Sequence, residues 1–157
     1  GGQPHRFKPF IDLYREVARD AGHDPSTTRV SINSHGYIAD TSQKAAEEFY
    51  PGMQALMSKI GRERGWPPMG RAQFEADRGP QGHLLLGSPQ EVIDKLLYEH
   101  GVFHYDRFLI QFSVGAIPHD SMMHCIELYG TKVAPVVRKA AGSAAETDGQ
   151  LPTGARV

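Results

Sequence analysis

A helix-start signal between two apolar segments places the strongest constraint on the fold of this 157-residue chain. Residues 82–87 include a short apolar run. Residues 88–91 then combine a capping serine, a proline suited to the first helical position and the acid of a capping box. Residues 106–113 alternate apolar and polar side chains, as a strand does. This order of helix and strand, with a further helix after it, is typical of a parallel α/β fold.

Two earlier segments also carry regular patterns. Apolar residues recur at helical spacing over 7–18, and residues 30–38 alternate as a strand does. Asp40 and Gln43 resemble a capping box in front of a second helical pattern, in which Pro51 predicts a kink or a break. We predict that the strands at 29–39 and 106–113 are parallel, with the helix that begins at Ser88 between them.

The remaining segments predict loops and a short last helix. Residues 61–82 contain five glycines and two consecutive prolines, so we expect them to be the least ordered internal segment, packed through Trp66 where ordered. A helix is expected from Asp120 to about residue 129, with Pro135 limiting its extension. Two strands are too few for a complete barrel, which needs ~250 residues. The pattern therefore predicts the closing part of a larger α/β barrel.

Composition narrows the class of protein. The formal net charge of −1 argues against a general nucleic-acid-binding surface. The single cysteine, Cys125, excludes an internal disulfide framework and is typical of a reducing cytoplasm. No apolar run approaches the ~20 residues of a membrane span, and residues 1–4 lack the apolar core of a signal peptide. We therefore expect a cytoplasmic protein that binds neither nucleic acid nor membrane.

His35 is the first candidate for chemistry, because it lies near the carboxyl end of a predicted strand. Active sites of parallel α/β folds gather at that end, and an imidazole there can shuttle a proton near neutral pH. The alternative is a structural histidine bonded to the neighbouring loop. No convincing metal-ligand set is present: Gly101 and the following strand spoil a helical pair of His100 and His104.

Three further positions are candidates for ligand binding, each with a plainer alternative. Arg78 lies in a predicted loop that could close over an anion, but it could also be a surface arginine paired with Asp77. The Gly1–Gly2 pair would let backbone approach a ligand closely, unless it is a cloning remnant. His119 begins the last predicted helix and faces the same sheet end as His35, or simply faces solvent.

Taken in order, three runs resemble the C-terminal part of bacterial luciferase-like flavin-dependent monooxygenases. They are Arg29–Thr41, Gly82–Val92, and Phe108–Ser113 followed by Pro118-His119. The resemblance covers roughly residues 1–140 and implies a (β/α)8 TIM barrel with strands seven and eight near 29–39 and 106–113. It also implies a mobile insertion at 61–82, and we expect residues 141–157 to form a flexible tail.

The resemblance also implies a chemistry. Such enzymes bind reduced FMN, or the deazaflavin F420, and the FMN enzymes use O2 to oxygenate a small organic substrate. A flavin reductase supplying the reduced flavin and a homo-oligomer are further expectations. His35 matches a strand-seven active-site histidine of alkanesulfonate-type members, and Arg78 matches an arginine of their closing loop. We therefore take both as catalytic candidates, with Gly1, Gly2 and His119 as cofactor-binding candidates.

One departure and two rival functions accompany this resemblance. Ile117 stands where alkanesulfonate-type members have a tyrosine, which argues against a sulfonate substrate. The rivals are an F420-dependent oxidoreductase of the same fold and a non-catalytic α/β module for binding or dimerisation. Because such a site needs residues from several strands, we expect the segment alone to have little or no activity.

Overall fold

The computed structural model describes residues 2–148, with the backbone alone for 143–148, and shows helices around a three-stranded parallel sheet. The strands are β1 (Ser31–Ile38), β2 (Leu85–Gly87) and β3 (Arg107–Gln111). The helices are α1 (Lys8–Asp20), α2 (Ser42–Arg64), α3 (Arg71–Arg78), α4 (Pro89–Phe103), α5 (His119–Leu128) and α6 (Ala134–Asp148). Short 3₁₀ turns at Pro4–Phe7 and Pro25–Thr27 precede α1 and β1.

β1 is the central strand, and it pairs with a different neighbour along each half. Its first five residues, Ser31–His35, pair in parallel with β3, so that His35 lies opposite Gln111. Its last three residues pair in parallel with β2 on the other side. The predicted parallel pair with a helix between is therefore confirmed. β2 did not stand out as a strand, because three buried residues are too short to show an alternation.

The predicted start of α4 is confirmed in detail. The Ser88 backbone N–H donates to Glu91 Oε2 at 2.8 Å, and the Glu91 N–H donates to Ser88 Oγ at 3.4 Å. This reciprocal pair is a capping box with Pro89 as the first helical residue. The helix ends at Phe103, and the positive φ of 48° at the capping residue His104 turns the chain toward β3.

The predicted cap of the second helix at Asp40 and the predicted break at Pro51 are wrong, whereas a kink at Pro51 stays a prediction. Thr41, not Asp40, caps α2, because its hydroxyl accepts the Lys44 N–H at 3.1 Å. Pro51 lies inside α2 without ending it. A proline removes only one helical N–H, and the buried side chains Phe49 and Met53 hold the helix to the core on both sides of it.

Residues 61–82 contain much more regular structure than their glycines and prolines predict. α2 continues to Arg64 and ends at Gly65, whose φ of 71° is left-handed, and α3 follows after a short connection. Phe74 rather than Trp66 anchors this segment. The Phe74 ring is fully buried 4.9 Å from the Tyr50 ring, whereas Trp66 is 53% exposed. The mobility of the segment stays a prediction.

The end of the described chain also differs from expectation. After α5, one π-helical turn (Tyr129–Val133) leads directly into α6. Pro135 does not stop this helix, because it is accommodated as the second residue of α6, directly after the π-helical turn. Of the predicted flexible tail, 141–148 is helical, and 149–157 lies outside the described residues.

The main core lies where β1 and β2 pack against the helices. Its buried members include Ile38, Phe49, Phe74 and Leu85, and the single cysteine, Cys125, is buried with them. Burial of this kind stabilises a fold by ~25 cal/mol per Å² of apolar surface. No helix within residues 2–148 is both long and apolar enough to cross a membrane.

Candidate functional site

A cavity of about 700 Å³ lies beside β1, with walls from α1, α2 and α4. This volume falls within the range of ordinary ligand pockets. Slightly more than half of the lining residues are apolar, and polar side chains from β1, β3, α2 and α4 make up most of the rest. The apolar lining includes Phe7, Phe10, Met53, Met57, Trp66 and Phe103.

His35 brings an unsatisfied nitrogen to this cavity. The imidazole is half-buried, and its Nδ1 is buried without a hydrogen-bond partner among the described residues. Strand pairing opposite Gln111 fixes the backbone from which the ring projects. Burial lowers the pKa of His35 below its usual value, so that the neutral imidazole dominates near pH 7. The plainer alternative, a histidine bonded to the neighbouring loop, has no support in these contacts.

A second histidine, His83, lines the same cavity from the segment before β2. The Ser34 hydroxyl donates to the His83 carbonyl oxygen, which ties this segment to β1. His83 Nδ1 lies 3.6 Å from Asp77 Oδ1. Burial lowers the pKa of His83, and the Asp77 carboxylate opposes that shift. Two largely neutral imidazoles therefore line one cavity.

Helix α4 adds a buried lysine and a buried glutamate, one turn apart. The Lys95 ammonium donates to the carbonyl oxygens of Leu84 at 2.5 Å, Gly79 at 2.7 Å and Arg78 at 3.4 Å. Glu99 is only 2% exposed, lines the cavity and has no hydrogen-bond partner among the described residues. Burial lowers the pKa of Lys95 to about 8 and raises the pKa of Glu99 to about 7, while each charge opposes the shift of the other.

The structure brings only some of the sequence-predicted site residues together. Gly2 lines the cavity with His35, whereas Gly1 lies outside the described residues. Arg78 is the last residue of α3 rather than a loop residue, and it does not line the cavity. Its Nε donates to Glu75 Oε2 at 2.5 Å and its Nη1 to Ser42 Oγ at 2.9 Å, so Asp77 is not its partner. His119 is the exposed first residue of α5, away from the cavity.

Sequence reasoning missed Lys95, Glu99 and His83. A signal for Glu99 was present, because it continues the helical spacing of the buried residues Val92 and Leu96. A charged residue on the apolar stripe of a helix marks a buried charge. His83 had no such signal, since only the folded chain brings it to β1.

Comparison with known proteins decides the family. The family model described as luciferase-like monooxygenase matches residues 1–104, about two thirds of the chain. The chain belongs to the luciferase-like monooxygenase family. The resemblance inferred from the sequence is therefore confirmed.

Solved structures show the same fold for this luciferase-like chain. Monooxygenase RslO1 from Streptomyces bottropensis superposes with a TM-score of 0.65 at 21% identity, covering 84% of this chain and 38% of that one. The oxygenating constituent of 3,6-diketocamphane monooxygenase from Pseudomonas putida, solved with FMN, gives 0.56 at 20% identity, covering 82% and 39%. The predicted fold class, an α/β fold that forms part of a luciferase-like barrel, is confirmed.

A curated relative matches a shorter stretch of the chain. The uncharacterized protein y4vJ of Sinorhizobium fredii (strain NBRC 101917 / NGR234) is 40% identical over 60 residues, which are 38% of this chain and 17% of that protein. This chain thus spans less than two fifths of the length of the relatives described here. The chain therefore corresponds to only part of such a barrel.

Proposed function

We propose that this chain is part of a flavin-dependent monooxygenase that oxygenates a small organic substrate, with His35 in its active site. One observation carries the proposal: in a luciferase-like chain, the buried and unpartnered Nδ1 of His35 lies at a cavity of about 700 Å³. A buried polar atom without a partner is unfavourable unless a ligand supplies one. The FMN-bound structural neighbour supports FMN as the flavin, with F420 as the alternative.

The residues present fit part of a flavin. The apolar side chains of Met53, Met57 and Phe103 suit a ring system, and His35 Nδ1 suits its polar edge. Arg64 is the arginine that lines the cavity within residues 2–148 and would face a phosphate there. When bound, a reduced flavin supplies the electrons with which O2 is activated, and we propose that a flavin reductase delivers it in that form.

His35 has the properties of a proton-accepting group. Burial keeps the imidazole neutral, so that one ring nitrogen accepts a hydrogen bond or a proton while the other donates. The strand fixes its position before the ligand arrives. We propose that His35 orients the substrate and moves a proton at the reacting oxygen.

The other predicted residues take lesser parts in this proposal. Arg78 must leave Glu75 and Ser42 before its guanidinium can meet an anion in the cavity. We therefore propose it as a cation that acts only when α3 and the following segment move. We propose that the Gly2 backbone lies against the ligand. His119 does not line the cavity, so a role in cofactor binding requires a contact outside the cavity.

The test is flavin binding and oxygen insertion by the full-length protein. Reduced FMN and reduced F420 are titrated in parallel by absorbance, and incorporation of ¹⁸O from ¹⁸O2 into organic substrates is followed by mass spectrometry. We expect tight binding of FMN and labelled product. Binding of F420 alone without labelled product supports the F420-dependent oxidoreductase instead. Absence of binding for either cofactor leaves the non-catalytic module.

A further inference from the structure

The two histidines at the cavity are held in different ways. His35 has a buried Nδ1 without a partner, whereas His83 Nδ1 lies 3.6 Å from a carboxylate oxygen of Asp77. The His83 side chain is 26% exposed and lines the cavity, so water can reach its ring. An imidazole that meets both a cavity and water, with a carboxylate beside it, is suited to move protons between them.

The segment between α3 and β2 is folded so that Asp77 and His83 stay together. The Leu84 N–H donates to the Asp77 carbonyl oxygen at 2.9 Å, and Gln73 Nε2 donates to Asp77 Oδ1 at 2.8 Å. A Cβ at Gly82 would lie 2.0 Å from the Asp77 carbonyl oxygen, so this close approach requires a glycine. The carboxylate and the ring are therefore positioned before any ligand binds.

His83 is also tied to β1 beside His35, and the two rings interact electrostatically. The Ser34 hydroxyl donates to the His83 carbonyl oxygen, and Ser34 directly precedes His35 on β1. Burial lowers the pKa of His83, the Asp77 carboxylate opposes this shift, and the charges of Lys95 and His35 lower the pKa further. A proton on one ring thus disfavours a proton on the other, and a pair of this kind passes a proton on rather than holding two.

We propose that His83 is the proton-exchange partner of His35 at this cavity, and that Asp77 is the positioning residue of His83. The proposal rests on the proposed function, in which His35 moves a proton at the reacting oxygen. Asp77 favours the tautomer with its proton on Nδ1, which leaves His83 Nε2 as the acceptor. The proton that His35 takes up passes through the cavity to His83 Nε2 and then to water, so both rings return to the neutral form. Arg64 and Glu99 line the same cavity and add their charges to its field.

The first test is an NMR titration of the histidine rings in the full-length protein, without flavin. Asp77→Asn removes the carboxylate charge and should shift the His83 pKa downward. His35→Gln removes a ring that can carry a positive charge and should shift it upward. A matched pair is available, because His124 Nε2 lies 2.8 Å from Asp40 Oδ1 and neither residue lines the cavity. Asp40→Asn should lower the pKa of His124 and leave that of His83 unchanged.

The second test is whether the same pair serves the reaction. Oxidation of reduced FMN by O2 in the full-length protein is followed by absorbance over a series of pH values. His83→Gln should slow it about tenfold, less than the ~10²–10⁴-fold effect of a direct acid or base, because water can partly replace a relay. Asp77→Asn should move the rate profile to lower pH, which loss of a purely structural contact would not do. His124→Gln should match the wild type.

Two results overturn the proposal. One is a His83 titration that neither Asp77→Asn nor His35→Gln alters, and the other is a wild-type rate and pH profile in His83→Gln. If His83→Gln does not fold, the rate profile of Asp77→Asn decides. Flavin oxidation at wild-type rates in every variant removes the relay and leaves the monooxygenase proposal standing. If the full-length protein binds no flavin, the monooxygenase proposal falls, and the NMR titration still decides whether Asp77 and His35 control the proton on His83.

Discussion

Two polar clusters lie along β1, and they differ in how far their groups are satisfied. At the carboxyl end, the buried Tyr37 hydroxyl lies 2.7 Å from a Glu48 carboxylate oxygen and 3.2 Å from the Ser121 carbonyl oxygen. At the cavity, His35 Nδ1 and the Glu99 carboxyl have no hydrogen-bond partner among residues 2–148. Both clusters are largely shielded from water, yet only one is complete.

This difference separates groups that hold the fold from groups that await a ligand. The first cluster connects β1 to α2 and α5, and the Ile38 N–H adds a bond to Cys125 Sγ at 3.2 Å. Its hydrogen bonds stabilise the native state. At the second cluster, the buried His35 Nδ1 goes unpaired in the unliganded protein, which costs free energy. Mutations at the first cluster should therefore lower stability, whereas mutations at the second should change ligand chemistry and the pH dependence of stability.

The largest effect is expected from His35→Ala on turnover. If His35 moves a proton at the reacting oxygen, its loss should lower turnover by ~10²–10⁴-fold with little change in stability. Initial rates of the full-length protein with reduced flavin measure this. His23→Ala is the matched control, because His23 is exposed and outside the cavity. Wild-type rates in His35→Ala would show that the imidazole takes no part in turnover. The cluster at the cavity would then have no functional role to set against the cluster of Tyr37.

The next effect is the pH dependence of stability that Glu99 confers. Its pKa rises on folding from 4.5 to about 7, so its contribution is complete below pH 4.5 and is lost as the pH rises toward 7. The wild type should lose about 2–3 kcal/mol across this window relative to Glu99→Gln, which has the same shape but does not titrate. Urea unfolding at a series of pH values measures it.

Asp94→Asn provides the control for the Glu99 experiment, since it removes an exposed carboxylate from the same helix. It should keep the wild-type pH profile. Parallel profiles for wild type and Glu99→Gln would mean that Glu99 is satisfied and ionised in the folded protein. The two clusters would then be alike.

A smaller effect is expected from Tyr37→Phe at the satisfied cluster. Removal of the hydroxyl leaves the Glu48 carboxylate without its 2.7 Å donor, which should cost about 1–3 kcal/mol of unfolding free energy. Chemical denaturation measures the loss, and flavin binding by the full-length protein should stay unchanged. A variant as stable as the wild type, but with weaker flavin binding, would reverse the roles of the two clusters.

The features that could be predicted correctly are those with local sequence signals. The capping box at Ser88 and Glu91 involves neighbours in the chain, and the alternation that placed His35 on a strand spans only a few residues. Where an element is short or has a single buried anchor, such signals fail. β2 has three residues, and α3 has Phe74 as its one buried residue, so Arg78 was placed in a loop.

The candidate site depends on contacts that no local pattern contains. Lys95 is satisfied by carbonyl oxygens of Gly79 and Leu84, eleven or more residues earlier in the chain. That arrangement leaves Glu99 unpartnered. A sequence pattern marks Glu99 as a charge on an apolar stripe, but whether a donor reaches it depends on tertiary packing. The strand histidine could therefore be predicted, and the unpartnered carboxyl group of Glu99 could not.

Of these variants, Arg78→Ala should lower the free energy of unfolding least. It should separately change the share of reduced flavin that is used for oxygenation. Its guanidinium is partly exposed and holds Glu75 and Ser42, and contacts of this kind are worth about 0.5–1 kcal/mol. Glu75→Gln should show a similar loss in chemical denaturation. If Arg78 also reaches the cavity when α3 moves, Arg78→Ala alone should raise the share of reduced flavin lost as hydrogen peroxide.

Measuring hydrogen peroxide against oxygenated product in both variants separates the two roles of Arg78. The stability loss reports the tether between α3 and α2, which Glu75→Gln weakens as well. The extra hydrogen peroxide reports a cation that acts at the cluster of His35. A positive charge there has its largest effect when the site is closed and contains less water. If Arg78→Ala, Glu75→Gln and the wild type all lose the same share of reduced flavin as hydrogen peroxide, Arg78 serves only to stabilise the fold. His35 then has no cationic partner from α3.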